Sequence, residues 1–189
     1  MNHSNEWAIV LCPGFHAATL TQAFLAQLAT IVPSRAKVLV FPSDRRPVYS
    51  IPDILYFLYE RLNAEWHRPW LKVPVVFVGF SAGVVGAMGA ALAWEMIGGN
   101  VLGLFALDGL GVPVVGSFPT HRLSSNHFTH WSSAWFGGGQ DSFYADPEIE
   151  HLTLWKSPQT VQGWWVSARS STRTTLLQFL AHWLNDYQP

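Results

Sequence analysis

One serine stands between two glycines at a point where an apolar run gives way to small residues. The segment reads Gly79-Phe80-Ser81-Ala82-Gly83, and it directly follows Val75-Val76-Phe77-Val78. This G-x-S-x-G spacing is typical of a nucleophile elbow, in which a serine sits on a tight strand-to-helix turn. The N-terminus of the following helix would direct its amides and dipole toward the reacting atoms. The pattern predicts Ser81 as a nucleophile, and a buried serine on a glycine-lined turn is the alternative.

A serine nucleophile needs a base, and histidines are frequent after the motif. Five follow it in sequence, namely His121, His127, His130, His151 and His182. His127 and His130 have an H-x-x-H spacing that could indicate metal ligands, but neither a nearby cysteine nor a clear helix accompanies them, so we expect no metal. His182 lies inside an expected terminal helix, which favours a surface or packing role.

Two aspartates are candidates for the acid that would support such a histidine. Asp141 lies in the glycine-rich segment Gly139-Gln140-Asp141, ten residues before His151, and Asp108 ends an apolar run. In either case the carboxylate would hold the imidazole in one tautomer and stabilise the imidazolium. Asp146 precedes Pro147, which predicts a turn instead.

The elements that must position these groups alternate between strands and helices. Apolar runs with strand character cover Trp7–Cys12, Lys37–Phe41, Val75–Val78 and Asn100–Leu107. Helical patterns run from Thr19 to about Ile31, from Ser50 to about Trp66, from the elbow through Met96, and from Thr172 to Tyr187. Between Leu110 and Glu150 the pattern is loose, with one strand expected near Phe128–Trp135.

Strands that are apolar at every position are buried on both faces, as parallel sheets require. Alternation with helices then implies right-handed crossovers. We therefore predict one α/β domain over residues 1–189, with a mainly parallel sheet in a three-layer α/β/α arrangement. Functional groups of such sheets collect at the carboxyl ends of the strands. Those ends lie at Pro13-Gly14-Phe15-His16, Pro42-Ser43-Asp44, Gly79-Phe80-Ser81 and Asp108-Gly109.

Composition excludes several classes of protein. The 189 residues are 49% hydrophobic and 12% charged, with a net charge of −1, so neither a disordered chain nor a basic nucleic-acid groove is expected. One cysteine, Cys12, excludes an intrachain disulfide framework and a multi-cysteine zinc cage. The composition indicates a compact protein of a reducing compartment, and we expect a cytoplasmic location.

A membrane span is the competing interpretation of the segment from Val73 to Trp94, which has no charged residue over 22 positions. Its β-branched run and its glycines instead predict a buried strand, a turn and a helix. The first residues, Met1 to Trp7, lack the basic region of a secretion signal. We expect neither a span nor a signal peptide.

With these motifs and this element order, the sequence resembles the α/β-hydrolase superfamily, especially its small, lidless esterase and cutinase-like members. The resemblance covers most of the chain in element order, and the elbow is its one specific motif. It implies an oxyanion hole made from the backbone amides of Phe15 and Ala82, although Pro13 stands where the family commonly has histidine. It also implies His151 as the base, because the Glu150-His151-Leu152 segment is similar to the family's His-Leu segment.

For the acid, the resemblance favours Asp141, and Asp108 remains the alternative because some members place the acid on that earlier strand. The function implied is hydrolysis of carboxylic esters or thioesters of small molecules, with an apolar acyl part. Acyl transfer to serine needs no cofactor. The alternative is a non-catalytic hydrolase-fold protein that serves as a binding or interaction module, since a fold alone does not fix a function.

Overall fold

A computed structural model describes residues 6–109, 111–135 and 140–189. Within these ranges the chain forms eight strands, six α-helices and a short 3-10 helix at Trp70–Lys72. The strands are β1 (Trp7–Cys12), β2 (Ala36–Val40), β3 (Val75–Phe80), β4 (Val101–Leu107), β5 (Thr120–Ser124), β6 (Asp141–Ala145), β7 (Gln162–Val166) and β8 (Ser171–Thr175). The helices are α1 (Ala18–Leu28), α2 (Ile51–Glu65), α3 (Gly83–Met96), α4 (His127–Ala134), α5 (His151–Lys156) and α6 (Leu176–Asp186).

All eight strands belong to one sheet, in the order β2-β1-β3-β4-β5-β6-β7-β8. The neighbours from β2 to β6 are parallel, and β7 and β8 extend the sheet in antiparallel fashion. The predicted α/β class and mainly parallel sheet are thus confirmed. In register, Cys12 faces Gly79 and Phe80 faces Leu107, so the carboxyl ends of β1, β3 and β4 lie at one edge.

The central strands are apolar at every position because both of their faces are covered. On β1, Ala8, Val10 and Cys12 join one hydrophobic cluster. The intervening Trp7, Ile9 and Leu11 join another. Successive side chains of a strand point to opposite faces, which accounts for the division. All six side chains are fully buried, so β1 has no solvent-facing side.

Local capping fixes where α2 and α6 begin. The Ser50 hydroxyl accepts a hydrogen bond from the Asp53 amide, at 3.4 Å. A full capping box precedes α6, in which Thr175 Oγ1 accepts from the Gln178 amide at 3.1 Å and Gln178 Oε1 accepts from the Thr175 amide at 3.0 Å. The helix predicted from Thr172 therefore starts at Leu176, and the residues before it form β8.

The strand expected near Phe128–Trp135 is wrong, because these residues lie mainly in α4. Asn126 Oδ1 accepts a hydrogen bond from the Thr129 amide at 2.7 Å, as an N-cap side chain does. The strands in this part of the chain are instead β5 and β6, one on each side of α4 in sequence.

The uncharged segment from Val73 to Trp94 is divided between β3 and α3. The strand-turn-helix prediction for this segment is therefore confirmed. None of the helices in the described ranges has both the length and the hydropathy that crossing a bilayer requires.

Candidate active site

Ser81 occupies a strained turn between β3 and α3. Its φ is 54°, in the left-handed region, which costs an ordinary L-residue roughly 1–2 kcal/mol. Backbone hydrogen bonds hold it there: the Ser81 amide donates to Leu107 O at 2.9 Å, and Ser81 O accepts from the Val84 amide at 3.0 Å. Strain of this kind persists where the surroundings over-determine the backbone, and it concentrates at functional sites.

Two glycines allow the backbone to approach this turn closely. A Cβ at Gly83 would lie 2.1 Å from Cys12 O, so only glycine lets the start of α3 rest against the end of β1. A Cβ at Gly14 would lie 2.9 Å from Ser81 Cβ. Gly14 therefore brings the loop after β1 into direct contact with the serine.

The two amides predicted for an oxyanion hole flank this contact. Phe15 follows Gly14 in the loop, and Ala82 is the N-cap residue of α3. The first amides of a helix have no partner within it. Among the described residues, neither the Phe15 nor the Ala82 amide donates to another protein group, so both remain available as donors.

His151, the first residue of α5, binds the carboxylate that follows β4. Its Nδ1 lies 2.8 Å from Asp108 Oδ2. The other carboxylate oxygen, Oδ1, accepts from the Ser125 amide at 2.8 Å, so two donors hold the Asp108 side chain, which is 3% exposed. When Asp108 is ionised it can only accept, so a neutral His151 ring donates from Nδ1 and leaves Nε2 with its lone pair. That is the tautomer a general base requires.

Asp108 shares an unusual backbone with Ser81. Its φ is 47°, and it follows the last residue of β4 as Ser81 follows the last residue of β3. Its amide donates to Leu123 O at 2.8 Å, which fixes the turn on β5. Two adjacent parallel strands thus end in left-handed residues whose side chains line the same cleft.

That cleft has a volume of about 520 Å³ and brings Ser81, Asp108 and His151 together. Its remaining walls are formed by Ala82, Val85, Val112, Ser125, Asn126, Thr129 and Ile149. No hydrogen bond joins Ser81 and His151 in the described part of the chain. Catalytic contacts of this type often tighten when substrate binds, so their absence in a free protein does not exclude the pair.

The structure does not bring Asp141 to His151. The Asp141 carboxylate accepts a hydrogen bond from Trp165 Nε1, and the Asp141 carbonyl oxygen lies 3.0 Å from His121 Nδ1. Of the two candidate aspartates, Asp108 is therefore the one whose carboxylate is in hydrogen-bond contact with His151. The cue in the sequence was the position of Asp108 directly after an apolar strand.

His127 and His130 lie on α4, and neither is among the residues that line the serine's cleft. Their ring centroids are 6.3 Å apart, and His130 Nε2 lies 2.9 Å from Ser142 Oγ. Burial, together with the neighbouring His127, lowers the pKa of His130. Within the described ranges, no group of three or more His, Cys, Asp or Glu side chains is arranged to hold a metal ion.

His121 was not identified from the sequence as a structural centre, yet it is completely buried in β5. Its Nε2 contacts the Tyr187 hydroxyl, and its ring stacks on Phe105 at 5.0 Å between centroids. Burial lowers its pKa to about 4, so the ring is neutral near pH 7. Its place in the polar segment Thr120–Ser124 gave no apolar pattern to mark a strand.

A second cavity, of about 470 Å³, lies beside the loop after β1. Gly14 and Phe15 line it together with apolar side chains from α1 and the end of β2, including Leu25, Val40 and Phe41. This loop therefore contacts Ser81 through Gly14, and it also borders the mostly apolar cavity.

Comparison with known proteins supplies no family for the chain. No protein-family model matches it, and no curated protein is significantly similar to it. Its chemistry must therefore be inferred from the arrangement of Ser81, Asp108 and His151.

Proposed function

We propose that the protein is a serine hydrolase of carboxylic esters or thioesters, with Ser81 as nucleophile, His151 as base and Asp108 as the acid. The observation that carries the proposal is the 2.8 Å contact between His151 Nδ1 and Asp108 Oδ2 in the cleft that Ser81 lines. A nucleophile, a base and a group that orients the base are the three parts of a hydrolytic triad. Asp141 is left out because its carboxylate binds Trp165.

In the proposed reaction, Ser81 Oγ attacks the carbonyl carbon while its proton passes to His151 Nε2. The carbonyl electron pair moves to oxygen and gives a tetrahedral intermediate. The intermediate collapses, the bond to the leaving alcohol or thiol breaks, and His151 returns the proton to that group. Water then repeats the sequence on the acyl-serine, which releases the acid and restores Ser81. Asp108 stays ionised throughout and stabilises the imidazolium.

The negative charge on the intermediate's oxygen would be met by the backbone amides of Phe15 and Ala82. Support comes from the contact of Gly14 with Ser81 and from the position of Ala82 at the N-terminus of α3, a helix of 14 residues. Removal of one such donor commonly costs a factor of roughly 10² to 10³ in rate.

The proposal includes the three-layer α/β/α arrangement of the small, lidless α/β-hydrolases. Two separate hydrophobic clusters, one for each face of β1, support it. We also expect a small-molecule substrate with an apolar acyl part. The apolar cavity beside Phe15 supports this, because it lies next to the loop that would hold the carbonyl oxygen.

A fluorophosphonate probe tests the nucleophile without knowledge of the natural substrate. Attack by Ser81 Oγ forms an oxygen–phosphorus bond, expels fluoride and passes the serine proton to His151. We expect mass spectrometry to place the adduct on Ser81, and Ser81→Ala to abolish labelling. Ser142→Ala is the matched control, because Ser142 also contacts a histidine, at 2.9 Å from His130 Nε2.

Labelling that persists in Ser81→Ala, or a folded wild-type protein that never reacts, would contradict the proposal. The second result would favour a non-catalytic binding role on the same fold. Equal loss of labelling in Ser142→Ala would show that the probe reports folding and not a nucleophile.

A further inference from the structure

Four aromatic rings are stacked in a row that runs from the core to the candidate base. Phe24 of α1 and Trp155 of α5 are 3.8 Å apart at their centroids and within 4° of parallel. Trp155 and Phe80 are 5.1 Å apart at 15°. Phe80 and His151 are 4.7 Å apart at 19°. We call these four rings the aromatic column.

The column supplies a restraint that Asp108 cannot. A hydrogen bond from Nδ1 fixes one direction of the imidazole, and it leaves the ring able to rotate about the line that joins Nδ1 to Oδ2. Such a rotation would swing Nε2 away from the serine. Contact between the ring face and Phe80 removes this freedom, because rotation would push the imidazole edge into the phenyl ring.

Trp155 extends the restraint to the helix that carries the base. His151 and Trp155 are four residues apart on α5, so they lie on the same side of this six-residue helix. Trp155 is fully buried, and its Nε1 donates to Thr21 Oγ1 of α1 at 3.4 Å. Both side chains contact Phe80, so one ring at the end of β3 packs against this side of α5.

We propose that Phe80 and Trp155 are positioning residues for His151. This inference rests on the proposed function. Phe80 is fully buried and precedes Ser81 directly, so it connects the nucleophile and the base without touching substrate. Its ring also faces the imidazolium that forms when His151 accepts the serine proton, and aromatic faces attract cations. Both effects favour proton transfer more than substrate binding.

The main test is Phe80→Leu, with Phe77→Leu as its matched control. Phe77 lies on the same strand and is equally buried, but it belongs to the other hydrophobic cluster. With p-nitrophenyl butyrate as substrate, we expect Phe80→Leu to lower kcat by about 10- to 100-fold with KM within about twofold, as misplacement by about 1 Å does. Phe77→Leu should lower Tm comparably and keep kcat.

Trp155 provides a second pair of variants in case Phe80→Leu folds poorly. Trp155→Phe keeps a ring face in the column, and we expect it to retain most of kcat. Trp155→Leu removes the face and should lower kcat by roughly tenfold, since His151 is then held less precisely. Equal kcat in these two variants at equal Tm would overturn the proposal.

A measurement that does not depend on activity distinguishes a failure of the positioning role from a failure of the proposed function. In NMR spectra, the ring protons of His151 should be shifted upfield by the Phe80 face, and the shift should disappear in Phe80→Leu. Suppose that the wild-type protein hydrolyses the ester and that His151→Ala loses turnover. If Phe80→Leu then keeps its kcat, the positioning role alone is overturned. Wild type without hydrolysis would overturn the proposed function, and the NMR shift would still decide whether the column orients His151.

Discussion

Two histidines of this protein stand on the face of a strand phenylalanine, yet their surroundings differ. His151 stacks on Phe80 at 4.7 Å, and His121 stacks on Phe105 at 5.0 Å. In both rings Nδ1 binds an oxygen acceptor, the Asp108 carboxylate for His151 and the Asp141 carbonyl for His121. Stacking and one Nδ1 hydrogen bond are therefore not what distinguishes a candidate base.

The difference lies in charge and in the other nitrogen. The Tyr187 hydroxyl contacts Nε2 of His121, whereas Nε2 of His151 has no hydrogen-bond partner among the described residues. The His151 side chain is 44% exposed, and a carboxylate stands ready to stabilise its protonated form. His121 is completely buried, with a pKa of about 4. A carboxylate and a free Nε2 make one ring suitable for proton transfer, and their absence makes the other structural.

The largest expected effect is on turnover in His151→Ala. Loss of the base should lower kcat by about 10⁴- to 10⁶-fold, nearly as far as Ser81→Ala, because residues of one catalytic unit are not additive. The double variant should be barely worse than either single one. Steady-state hydrolysis of p-nitrophenyl butyrate measures this, with His127→Ala as the control that should keep turnover. Retained turnover in His151→Ala would remove the distinction between the two histidines.

The next effect decides between the two aspartates. Asp108→Asn should lower kcat by about 10²- to 10⁴-fold, because an amide cannot stabilise the imidazolium and can favour the wrong tautomer. Asp141→Asn removes the carboxylate bound to Trp165 and should keep kcat within a few-fold of wild type. Parallel kcat measurements on the two variants check this. A reversed order would return the acid role to Asp141.

The smallest effect concerns the stability contributed by His121. Its folded pKa of about 4 lies below the ordinary 6.5, so the unfolded chain binds this proton more readily. The contribution of His121 to the free energy of unfolding is fully present above pH 6.5. It decreases by about 3 kcal/mol in total as the pH falls toward 4. Urea unfolding at pH 7 and pH 4.5 measures it.

In His121→Phe, the ring volume remains and the titration is lost. The difference in unfolding free energy between the two pH values should therefore be smaller in this variant than in wild type. An unchanged difference would mean that His121 is not the neutral buried group inferred here.

The strands that precede the candidate nucleophile and acid could be predicted because their sequences are apolar throughout, as burial on both faces requires. β1, β3 and β4 are continuous apolar runs, and each is covered on both sides. β5 is equally buried, but its sequence Thr-His-Arg-Leu-Ser is polar. Partners outside the strand satisfy its polar groups, as Tyr187 does for His121 and the Val112 carbonyl does for Arg122. A local pattern cannot reveal such partners.

The sequence could predict those residues of the candidate site that lie directly after a strand. Ser81 and Asp108 both directly follow apolar strands, and the G-x-S-x-G motif marks Ser81 in addition. Asp141 was favoured as the acid because of its place in a late loop, shortly before His151. Separation in sequence does not predict where β6 places this residue in the fold. That residue starts a strand whose neighbour, β7, presents Trp165 to its carboxylate.

The burial of Cys12 gives the protein a reporter of its own opening. The chain's one thiol is fully buried at the end of β1, between β2 and β3, and burial raises its pKa to about 12. Alkylating reagents require a thiolate, so at neutral pH they should react only when the packing around the end of β1 opens. The rate of alkylation then reports how often this opening occurs, and the change in that rate after acylation of Ser81 would measure how firmly an acyl group on Ser81 holds this region closed.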